Sequence, residues 1–495
     1  MTASSGWNFA GRLIEQLGAG TRFIDAATGR IIGPGELPRM IASYGTSLIS
    51  AGLQAGDRVL IGCALSPSSA LVYLAAMYAG LVAVPVDERV LAASAPALVK
   101  ATGAKAIWSE GGFAKEGEFD SSLIWLEGDL SDQTTEVISP AVCISTDLAA
   151  LMATSGSTGV PRFVMVSHGN LIANTEAIIR SQALTNNEVA MLILPVSYCF
   201  GASLLHTHLY QGGSVVFDRR FMFPDKVLQA VVQYGCTTFA GVPTVYNVLL
   251  RRSSIRKIPL PGLRRFLQAG GGLAPERIVE MRELFPHVKF YVMYGQTEAT
   301  ARISCMDPDR WDDKAGSVGR PLDNLTVSLV DDDGNAVEPG QVGQLIVRGP
   351  SICSGYLNDE EESRRVFANG SLRTGDLARC DEDGFLWIEG RTGAFLKIRG
   401  IRVSLAEVEA KVAAIPGVYE CGACAVDHPE AGQALQLLIV PDQGARLVME
   451  EIRHRLPAQW TLDSIQVVSE LPKTSAGKIA RPALAVLGKE LHGTA

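Results

Sequence analysis

Residues 148 to 170, LAALMATSGSTGVPRFVMVSHGN, are the stretch from which the fold of this chain is first inferred. An apolar strand is predicted over Leu148–Ala153 and a second over Phe163–Val166. Between them, Thr154–Gly159 holds four hydroxyl side chains and two glycines. Glycines let backbone N–H groups close on an anion, hydroxyls add contacts, and Arg162 adds positive charge. The loop is therefore predicted to bind phosphate, although a plain surface turn would account for it if it stood alone.

Helical and strand patterns alternate along the chain, as in the predicted strand Arg58–Ala64 followed by the predicted helix Ser68–Gly80. Such alternation is typical of an α/β fold. After about Gly316 the pattern changes to strands joined by turns, which indicates an antiparallel or barrel-like section. A compact α/β stretch follows from about Gly393. We therefore predict a domain hinge near Arg391–Gly393.

The composition excludes several classes of protein. The 495 residues are 47% apolar and 19% charged, which is too apolar for a disordered chain. A formal charge of −8 leaves no basic excess for a phosphate backbone, so nucleic acid is not a predicted partner. Nine irregularly spaced cysteines argue against a disulfide framework and for a reducing compartment. Since no secretory signal and no spanning apolar stretch are seen, we expect a cytoplasmic protein without a membrane span.

Further motifs follow the loop along the chain. Together they resemble the adenylate-forming superfamily, which contains acyl- and aryl-CoA synthetases, adenylation domains of nonribosomal peptide synthetases, and luciferases. The resemblance covers about residues 148 to 481, and the length suits a stand-alone acyl- or aryl-CoA ligase-like member. The segments that carry it are Thr154–Arg162, Tyr294–Glu298, Gly343–Pro350, Thr374–Asp376, Gly390–Arg391, Lys397–Val403 with Glu407–Glu409, and Leu471–Ile479.

The resemblance implies an α/β fold of two domains. Residues 1–391 would form a large N-terminal domain of two helix-flanked β-sheets plus a β-barrel-like section, and residues 392–495 a small mobile α/β domain. It also implies that ATP and a carboxylic acid give acyl-AMP and pyrophosphate, after which a thiol displaces AMP. Mg²⁺ is the implied metal, because a hard cation with oxygen ligands bridges phosphates.

The same resemblance assigns roles to single residues. Glu298 would hold Mg²⁺, Thr297 would hydrogen-bond the α-phosphate, and Lys478 would reach both the α-phosphate and the substrate carboxylate. Asp376 would accept the ribose hydroxyls with help from Arg391. The phosphate loop is assigned to Thr154, Ser155, Gly156, Ser157, Thr158 and Gly159, the adenine surface to Gly270, Gly271 and Gly272, and further nucleotide contacts to Tyr294 and Gly295. Taken alone, Glu298 and Lys478 would be interpreted as solvated charges and Asp376 as part of an Asx turn.

The resemblance also implies a domain rotation between the two steps. The C-terminal domain would turn about Gly393, withdraw Lys478 and bring in a tunnel for the thiol arm. The tunnel residues are Lys397, Gly400 and Arg402.

Three positions depart from the family pattern. Gly393 stands where the family usually has Asp or Lys, and glycine permits the dihedral change that rotation needs. Arg162 replaces a lysine and keeps its charge. Tyr198 stands where many members have His, and an aromatic gate over the acyl site is still expected.

The substrate is predicted to be an acid without an α-amine. Amino-acid adenylation domains carry an Asp that pairs the amine, whereas Val196–Gly201 has no carboxylate, and a buried unpaired ammonium would be costly. The predicted pocket favours an aryl or medium acyl group and consists of Tyr198, Phe239, Gly241, Val242 and Gly272. His206 and His208 are interpreted as satisfied core or surface histidines, with a pocket role as the alternative.

Because no carrier domain follows Lys478 in this sequence, the acceptor thiol is expected to come from outside the chain, and CoA is the favoured source. A ligase that loads a free-standing acyl or peptidyl carrier protein is the alternative, with phosphopantetheine as the acceptor arm. A non-catalytic nucleotide-binding protein is a remote alternative, since Glu298 and Lys478 are both present. A hydrolase is disfavoured because the sequence has no Gly-x-Ser-x-Gly elbow.

Overall fold

The computed structural model describes residues 6–112, 119–130, 137–154, 161–391, 395–398, 401–428, 432–442, 449–457, 460, 462–474 and 479–492. Four parts of the predicted site lie outside these ranges: Ser155–Gly159, Gly393, Gly400 and Lys478. Within the described ranges, no helix combines the length and apolar character needed to cross a bilayer.

A six-stranded sheet contains the opening stretch of the sequence analysis. Its strands run parallel except for the last pair, Leu148–Thr154 and Arg162–Ser167, which is antiparallel. Ser167 then caps the next helix in a capping box with Asn170, so the sequence itself sets this helix start. In spatial order the strands are Ile124–Glu127, Ala106–Ser109, Arg58–Cys63, Val82–Asp87, Leu148–Thr154 and Arg162–Ser167.

A nine-stranded sheet carries most of the candidate site. Its central strands are parallel, and antiparallel strands stand at both ends. In spatial order the strands are Arg320–Pro321, Ser304–Cys305, Lys289–Tyr294, Arg265–Gln268, Thr238–Gly241, Val189–Leu192, Ser214–Phe217, Phe23–Asp25 and Ile31–Ile32.

Helices cover both sheets. Pro67–Tyr78 is buried along nearly its whole length and contacts both Arg58–Cys63 of one sheet and Phe23–Asp25 of the other. A helix that is apolar all round is expected in such a position. The α-helices are Phe9–Gln16, Leu37–Ser50, Pro67–Tyr78, Glu88–Thr102, His168–Gln182, Cys199–Tyr210, Pro224–Gln233, Pro243–Arg252, Pro275–Leu284, Glu360–Val366, Leu405–Ala413, Met449–Arg455 and Arg481–His492.

The section predicted to be antiparallel or barrel-like is a four-stranded antiparallel sheet. Its strands are Thr326–Val330, Val342–Arg348, Ser371–Cys380 and Leu386–Arg391. The C-terminal part has a hairpin and a three-stranded sheet, with strands Phe395–Ile398, Ile401–Ser404, Val418–His428, Gly432–Pro441 and Leu462–Val467. A core of its own, which includes Val408, Ile439 and Trp460, supports it. The predicted fold class is confirmed, while the boundary between residues 391 and 392 stays a prediction.

The C-terminal part rests on helix Pro243–Arg252 of the N-terminal part. Val248 of that helix packs against a cluster that includes Tyr419. The guanidinium of Arg252 lies 4.1 Å from the centre of the Tyr419 ring. Arg277 donates a hydrogen bond to the carbonyl of Val418 at 3.4 Å. These contacts join the two parts through side chains that need no large apolar surface.

Candidate active site

Three predicted segments leave the carboxyl ends of neighbouring parallel strands. Gly241 ends one strand, Gly270–Gly272 follow the next, and Tyr294–Glu298 follow the third. Because parallel strands end at the same edge of a sheet, these segments lie side by side although they are far apart in sequence. The crevice at this edge is where open α/β sheets bind ligands.

Asp376 is the centre of a buried polar cluster. It is 3% exposed, and its carboxylate accepts hydrogen bonds from Arg391 Nε at 2.8 Å and from the hydroxyl of Tyr294. The Asp376 carboxylate raises the pKa of Arg391, and burial, then Asp376, raises the pKa of Tyr294. Arg391 therefore stays charged and Tyr294 stays a donor. The resemblance assigned both Asp376 and Arg391 to the ribose, and the structure brings their side chains together, whereas the hydroxyl of Tyr294 was not assigned to Asp376.

The glycines of the predicted adenine surface differ in what they permit. Gly270 has a φ of 88°, a conformation that disfavours other residues. A Cβ on Gly271 would lie 3.3 Å from Pro243, whereas a Cβ on Gly272 would meet nothing within 4 Å. The side chain of Gln268 fixes this turn by donating to the Gly271 carbonyl at 2.7 Å. The open face at Gly272 leaves room for a flat ring against the backbone.

Glu298 is oriented by a residue that sequence reasoning missed. The hydroxyl of Tyr356 donates to Glu298 Oε1 at 2.8 Å. Burial, then the Glu298 charge, raises the pKa of Tyr356, so its hydroxyl keeps the proton that it donates. Tyr356 follows the motif Gly343–Pro350 but has no pattern of its own, and only the tertiary contact reveals it.

The donor set around Glu298 fits Mg²⁺. Carboxylate oxygen is a hard ligand, and Mg²⁺ is usually held by one or two carboxylates together with phosphate oxygens and water. Over the described ranges, no group of three or more His, Cys, Asp or Glu side chains could hold a metal by itself. A metal at Glu298 would therefore need the nucleotide to complete its ligands.

A strained turn follows Glu298. Thr300 has φ 68° and ψ −57°, which is rare for a residue other than glycine. Its hydroxyl donates to the Ser351 carbonyl at 2.7 Å, and a tight turn closes with a hydrogen bond of 2.8 Å from the Ala301 N–H to the Ala299 carbonyl. A Cβ on Gly295 would lie 1.9 Å from the Ala301 carbonyl oxygen, so glycine is required there. The strain is held beside the site, as at many functional sites.

Arg162 is engaged by acidic residues. Its guanidinium pairs with Asp359 at 3.3 Å and Glu362 at 3.0 Å, and it lies 5.6 Å from the centre of the Tyr356 ring. Thr154 donates to the Arg162 carbonyl at 3.4 Å. The predicted role of the Arg162 charge at the phosphate loop stays a prediction, because Ser155–Gly159 lie outside the described residues.

Several residues of the predicted acyl pocket are packed into the protein interior. Phe239 and Val242 are each 1% exposed, and Phe239 packs edge-on against Phe266 with ring centres 6.2 Å apart. A Cβ on Gly241 would lie 2.6 Å from Val245, so this glycine serves close packing. Tyr198 precedes helix Cys199–Tyr210 and stacks edge-on with Phe200 at 6.4 Å.

A narrow cavity lies along helix Cys199–Tyr210. It has a volume of about 10 Å³, room for roughly one water. Its lining includes Cys199, Ala202, Ser203, His206, Thr300 and Ala301. His206 is buried against the Tyr73 hydroxyl at 3.1 Å, and burial lowers its pKa to about 3. His206 is therefore a neutral core histidine, as predicted, that also borders the cavity.

His208 is likewise buried. Its Nδ1 lies 2.9 Å from the Leu204 carbonyl, and burial lowers its pKa to about 4. It does not line the cavity. His208 is therefore a core histidine, but among the described residues its Nε2 has no hydrogen-bond partner.

Family comparison agrees with this geometry. Residues 22–357 match the AMP-binding enzyme family, and residues 407–478 match the AMP-binding enzyme C-terminal domain. The chain belongs to the AMP-binding enzyme family. The predicted recognition is thereby confirmed, and the predicted class, an AMP-forming acid–thiol ligase, agrees with the ligase and synthase names of its relatives.

This AMP-binding enzyme is similar to several CoA ligases in sequence and to MatB in structure. It is 30% identical over 455 residues to a feruloyl-CoA synthase from an Amycolatopsis species, covering 90% of this chain and 92% of that protein. It is 31% identical over 345 residues to a long-chain-fatty-acid–CoA ligase of Escherichia coli O157:H7, covering 68% of this chain and 61% of that one. ATP-bound MatB from Rhodopseudomonas palustris is 25% identical with a TM-score of 0.88, over 98% of this chain and 100% of that one. Apo MatB scores 0.78 over the same shares.

The tunnel predicted in this AMP-binding enzyme falls partly within the described chain. Lys397 and Arg402 are paired in backbone register in the hairpin Phe395–Ile398 with Ile401–Ser404. The roles of Lys397, Gly400 and Arg402 stay predictions, as do those of Gly393 and Lys478.

Proposed function

We propose that this enzyme activates a carboxylic acid that lacks an α-amine, an aryl or medium acyl acid, as acyl-AMP and then transfers the acyl group to CoA. The observation that carries the proposal is the meeting of Tyr294–Glu298, Gly270–Gly272 and the Asp376–Arg391 pair near one sheet edge. That arrangement provides a flat surface, a fixed acceptor and a hard-metal ligand together, which is what a magnesium–nucleotide complex requires.

In the first step, an oxygen of the acid attacks the α-phosphorus of ATP and the bond to pyrophosphate breaks. Asp376 accepts hydrogen bonds from the ribose hydroxyls, and Arg391 and Tyr294 fix the orientation of its carboxylate. Thr297 hydrogen-bonds the α-phosphate, and Lys478 offsets the charge of the two anions as they approach. Glu298 would hold Mg²⁺, which would supply further positive charge at this site. These residues hold the reactants in line, and such positioning is most of what phosphoryl chemistry asks of a protein.

In the second step, the thiol sulfur attacks the acyl carbonyl carbon, the bond to AMP breaks, and the thiol proton is released. We assign residues 1–391 and 392–495 to two domains that rotate about Gly393 between the steps. The contacts of helix Pro243–Arg252 with Tyr419 and of Arg277 with Val418 belong to the arrangement described here. The higher TM-score with ATP-bound than with apo MatB supports assigning that arrangement to the first step.

The proposed acid follows from what surrounds helix Cys199–Tyr210. Val196–Gly201 has no carboxylate that could pair an amine, and the cavity beside it is lined by small and apolar side chains together with polar uncharged ones. The names feruloyl-CoA synthase and long-chain-fatty-acid–CoA ligase support an acid of this kind and CoA as the acceptor. Nine free cysteines agree with a cytoplasmic location.

A pyrophosphate-release screen over aryl, short and medium-chain acids tests the proposal. We expect release with ATP and an acid of the active class, and thioester formation only when CoA is added. If a thioester formed on a phosphopantetheinylated carrier protein and none formed on CoA, the carrier protein would replace CoA as the proposed acyl acceptor. If no acid gave pyrophosphate release or exchange, the proposed function would be wrong.

A further inference from the structure

Arg302 is a buried cation without a carboxylate partner in the described chain. It is 2% exposed, its Nε has no hydrogen-bond partner, and its guanidinium lies 4.8 Å from the centre of the Phe200 ring. The groups that influence its charge are Cys305, Cys199 and Tyr198, none of which is a carboxylate. Burial lowers the pKa of Arg302, but a guanidinium does not lose its proton in a protein. A full positive charge therefore remains.

Two other arginine ion pairs of this chain, each with at least one buried member, show the usual solution. Arg265 lies 2.7 Å from the Glu188 carboxylate and also donates to the Gln182 carbonyl at 3.2 Å. Arg220 lies 2.7 Å from Asp218. A buried charge without such a partner costs several kcal/mol. The chain keeps that cost at Arg302, which indicates that a ligand supplies the missing anion.

A second feature at the same place also favours an anion. Arg302 contacts Phe200 in the first turn of helix Cys199–Tyr210, and no side chain caps that helix. A helix N-terminus presents N–H groups and partial positive charge. A guanidinium and a positive helix end repel each other, and an anion bound near both offsets this repulsion.

The surroundings of Arg302 connect to the predicted nucleotide residues through Cys305 and Cys199. Cys305, beside Arg302, pairs through its strand with Met293, one residue before Tyr294. Thr297, the predicted α-phosphate residue, contacts Cys199 Sγ at 3.6 Å. An acid that reacts at Thr297 and extends along the helix end reaches the surroundings of Arg302 with its other end.

We propose that Arg302 binds a second carboxylate of the substrate, so that the acid activated at this site is a dicarboxylic acid. This inference rests on the proposed function and narrows its substrate class. It requires that side chains along the narrow cavity move to admit the acid.

The experiment compares matched acids on the full-length wild-type enzyme and on Arg302→Met and Arg302→Lys. The pairs are butanoate with succinate, hexanoate with adipate, and benzoate with isophthalate, each followed by pyrophosphate release. For wild type we expect at least one dicarboxylate to exceed its partner by about tenfold or more in kcat/KM. Arg302→Met should lower kcat/KM for that dicarboxylate about 100-fold by raising its KM, as expected when one member of a charge pair is removed. Activity on the matched monocarboxylate should change less than about threefold. Arg302→Lys should restore part of the preference.

A stability measurement separates ligand binding from a structural role. Arg302→Met should leave Tm unchanged or raise it, because an unpaired buried charge is removed. The matched control, Arg265→Met, should lower Tm because it removes the nearer of the two cations that pair with the buried Glu188 carboxylate and leaves only Arg264 at 3.6 Å. Succinate, adipate or isophthalate should raise the Tm of wild type and not that of Arg302→Met.

Three results would overturn the inference. One is wild-type preference for the monocarboxylates. Another is an equal loss on both acids of a pair, which would assign Arg302 to the reacting carboxylate. The third is a large fall in Tm for Arg302→Met, which would make it structural. In each case, pyrophosphate release by the wild-type enzyme would leave the proposed function standing. If none of the acids gave pyrophosphate release, the proposed function itself would be contradicted.

Discussion

Two buried charges of this enzyme differ in whether the described part of the protein supplies a charged partner for them. Asp376, on the nucleotide side, is 3% exposed and bonded to Arg391 and Tyr294. Arg302, on the acyl side, is 2% exposed, and within the described ranges it has no carboxylate partner. A charge that the protein pairs is held in place for a neutral ligand such as a sugar hydroxyl. A charge left unpaired is suited to a ligand that carries the opposite charge.

The largest expected effect concerns charge that reaches the nucleotide side from the C-terminal domain. Lys478→Ala should lower acyl-AMP formation by roughly 10³-fold, because one cation opposite the reacting anions is lost. Thiol transfer from supplied acyl-AMP should be nearly unchanged, since the proposed domain rotation withdraws Lys478 for that step. Separate assays of the two half-reactions measure this. Equal loss in both would contradict the domain rotation and leave the pairing of Asp376 untouched.

Glu298→Ala should have the next largest effect. We expect turnover of magnesium–ATP to fall about 10²-fold, because a charged ligand of the metal is removed. The matched control is Tyr356→Phe, which keeps the carboxylate and removes only the hydrogen bond of 2.8 Å. That control should cost about 1 kcal/mol, or roughly fivefold in rate. Unchanged kinetics in Glu298→Ala would remove Glu298 from the metal site.

Asp376→Ala tests the paired side of the comparison directly. Both Arg391 and Tyr294 would lose their partner, so we expect KM for ATP to rise about 30-fold or more. Asp376→Asn should do less harm, because the amide oxygen still accepts a hydrogen bond. An unaltered KM for ATP in both variants would show that the cluster is structural and does not bind the ribose.

The sequence predicted the fold and much of the nucleotide side because both depend on local patterns. The hairpin Leu148–Thr154 with Arg162–Ser167 follows from apolar periodicity and a glycine-rich loop. Asp376 and Arg391 were assigned through motif resemblance, and the structure finds them 2.8 Å apart. The acyl side was predicted less well. Phe239 was assigned to the pocket wall but packs into an aromatic core with Phe266, since apolar residues fit either environment.

Tyr356 and Arg302 were missed for a physical reason. Their significance arises from contacts between segments distant in sequence, Tyr356 with Glu298 and Arg302 with Phe200. A faint signal existed for Arg302, which is a lone charge among small and apolar residues from Ala299 to Cys305. Charge in such a run indicates either a solvated position or a buried site, and only burial distinguishes them.

The smallest effect concerns the second basic side chain on the acyl side. His206 borders the narrow cavity along helix Cys199–Tyr210, but burial lowers its pKa to about 3, so it stays neutral and does not share the role of Arg302. In the unfolded chain its pKa is about 6.5, so below that pH the unfolded state binds more protons than the folded state. Stability should therefore fall as pH drops from about 6.5 toward 4, by about 2 kcal/mol at pH 5 for this residue.

His206→Gln keeps a hydrogen-bonding group near Tyr73 and removes the titration. Urea unfolding at pH 7 and pH 5 should show a smaller loss of stability on acidification in this variant, by about 2 kcal/mol. His208, buried with a pKa of about 4, supplies a matched control with the same sign outside the cavity. If His206→Gln and wild type lost equal stability, the pKa of His206 in the folded state would lie near its unfolded value, and His206 would become charged as the pH falls from 7 to 5. The acyl side would then hold two cations, and the preference for a second carboxylate should strengthen as the pH falls.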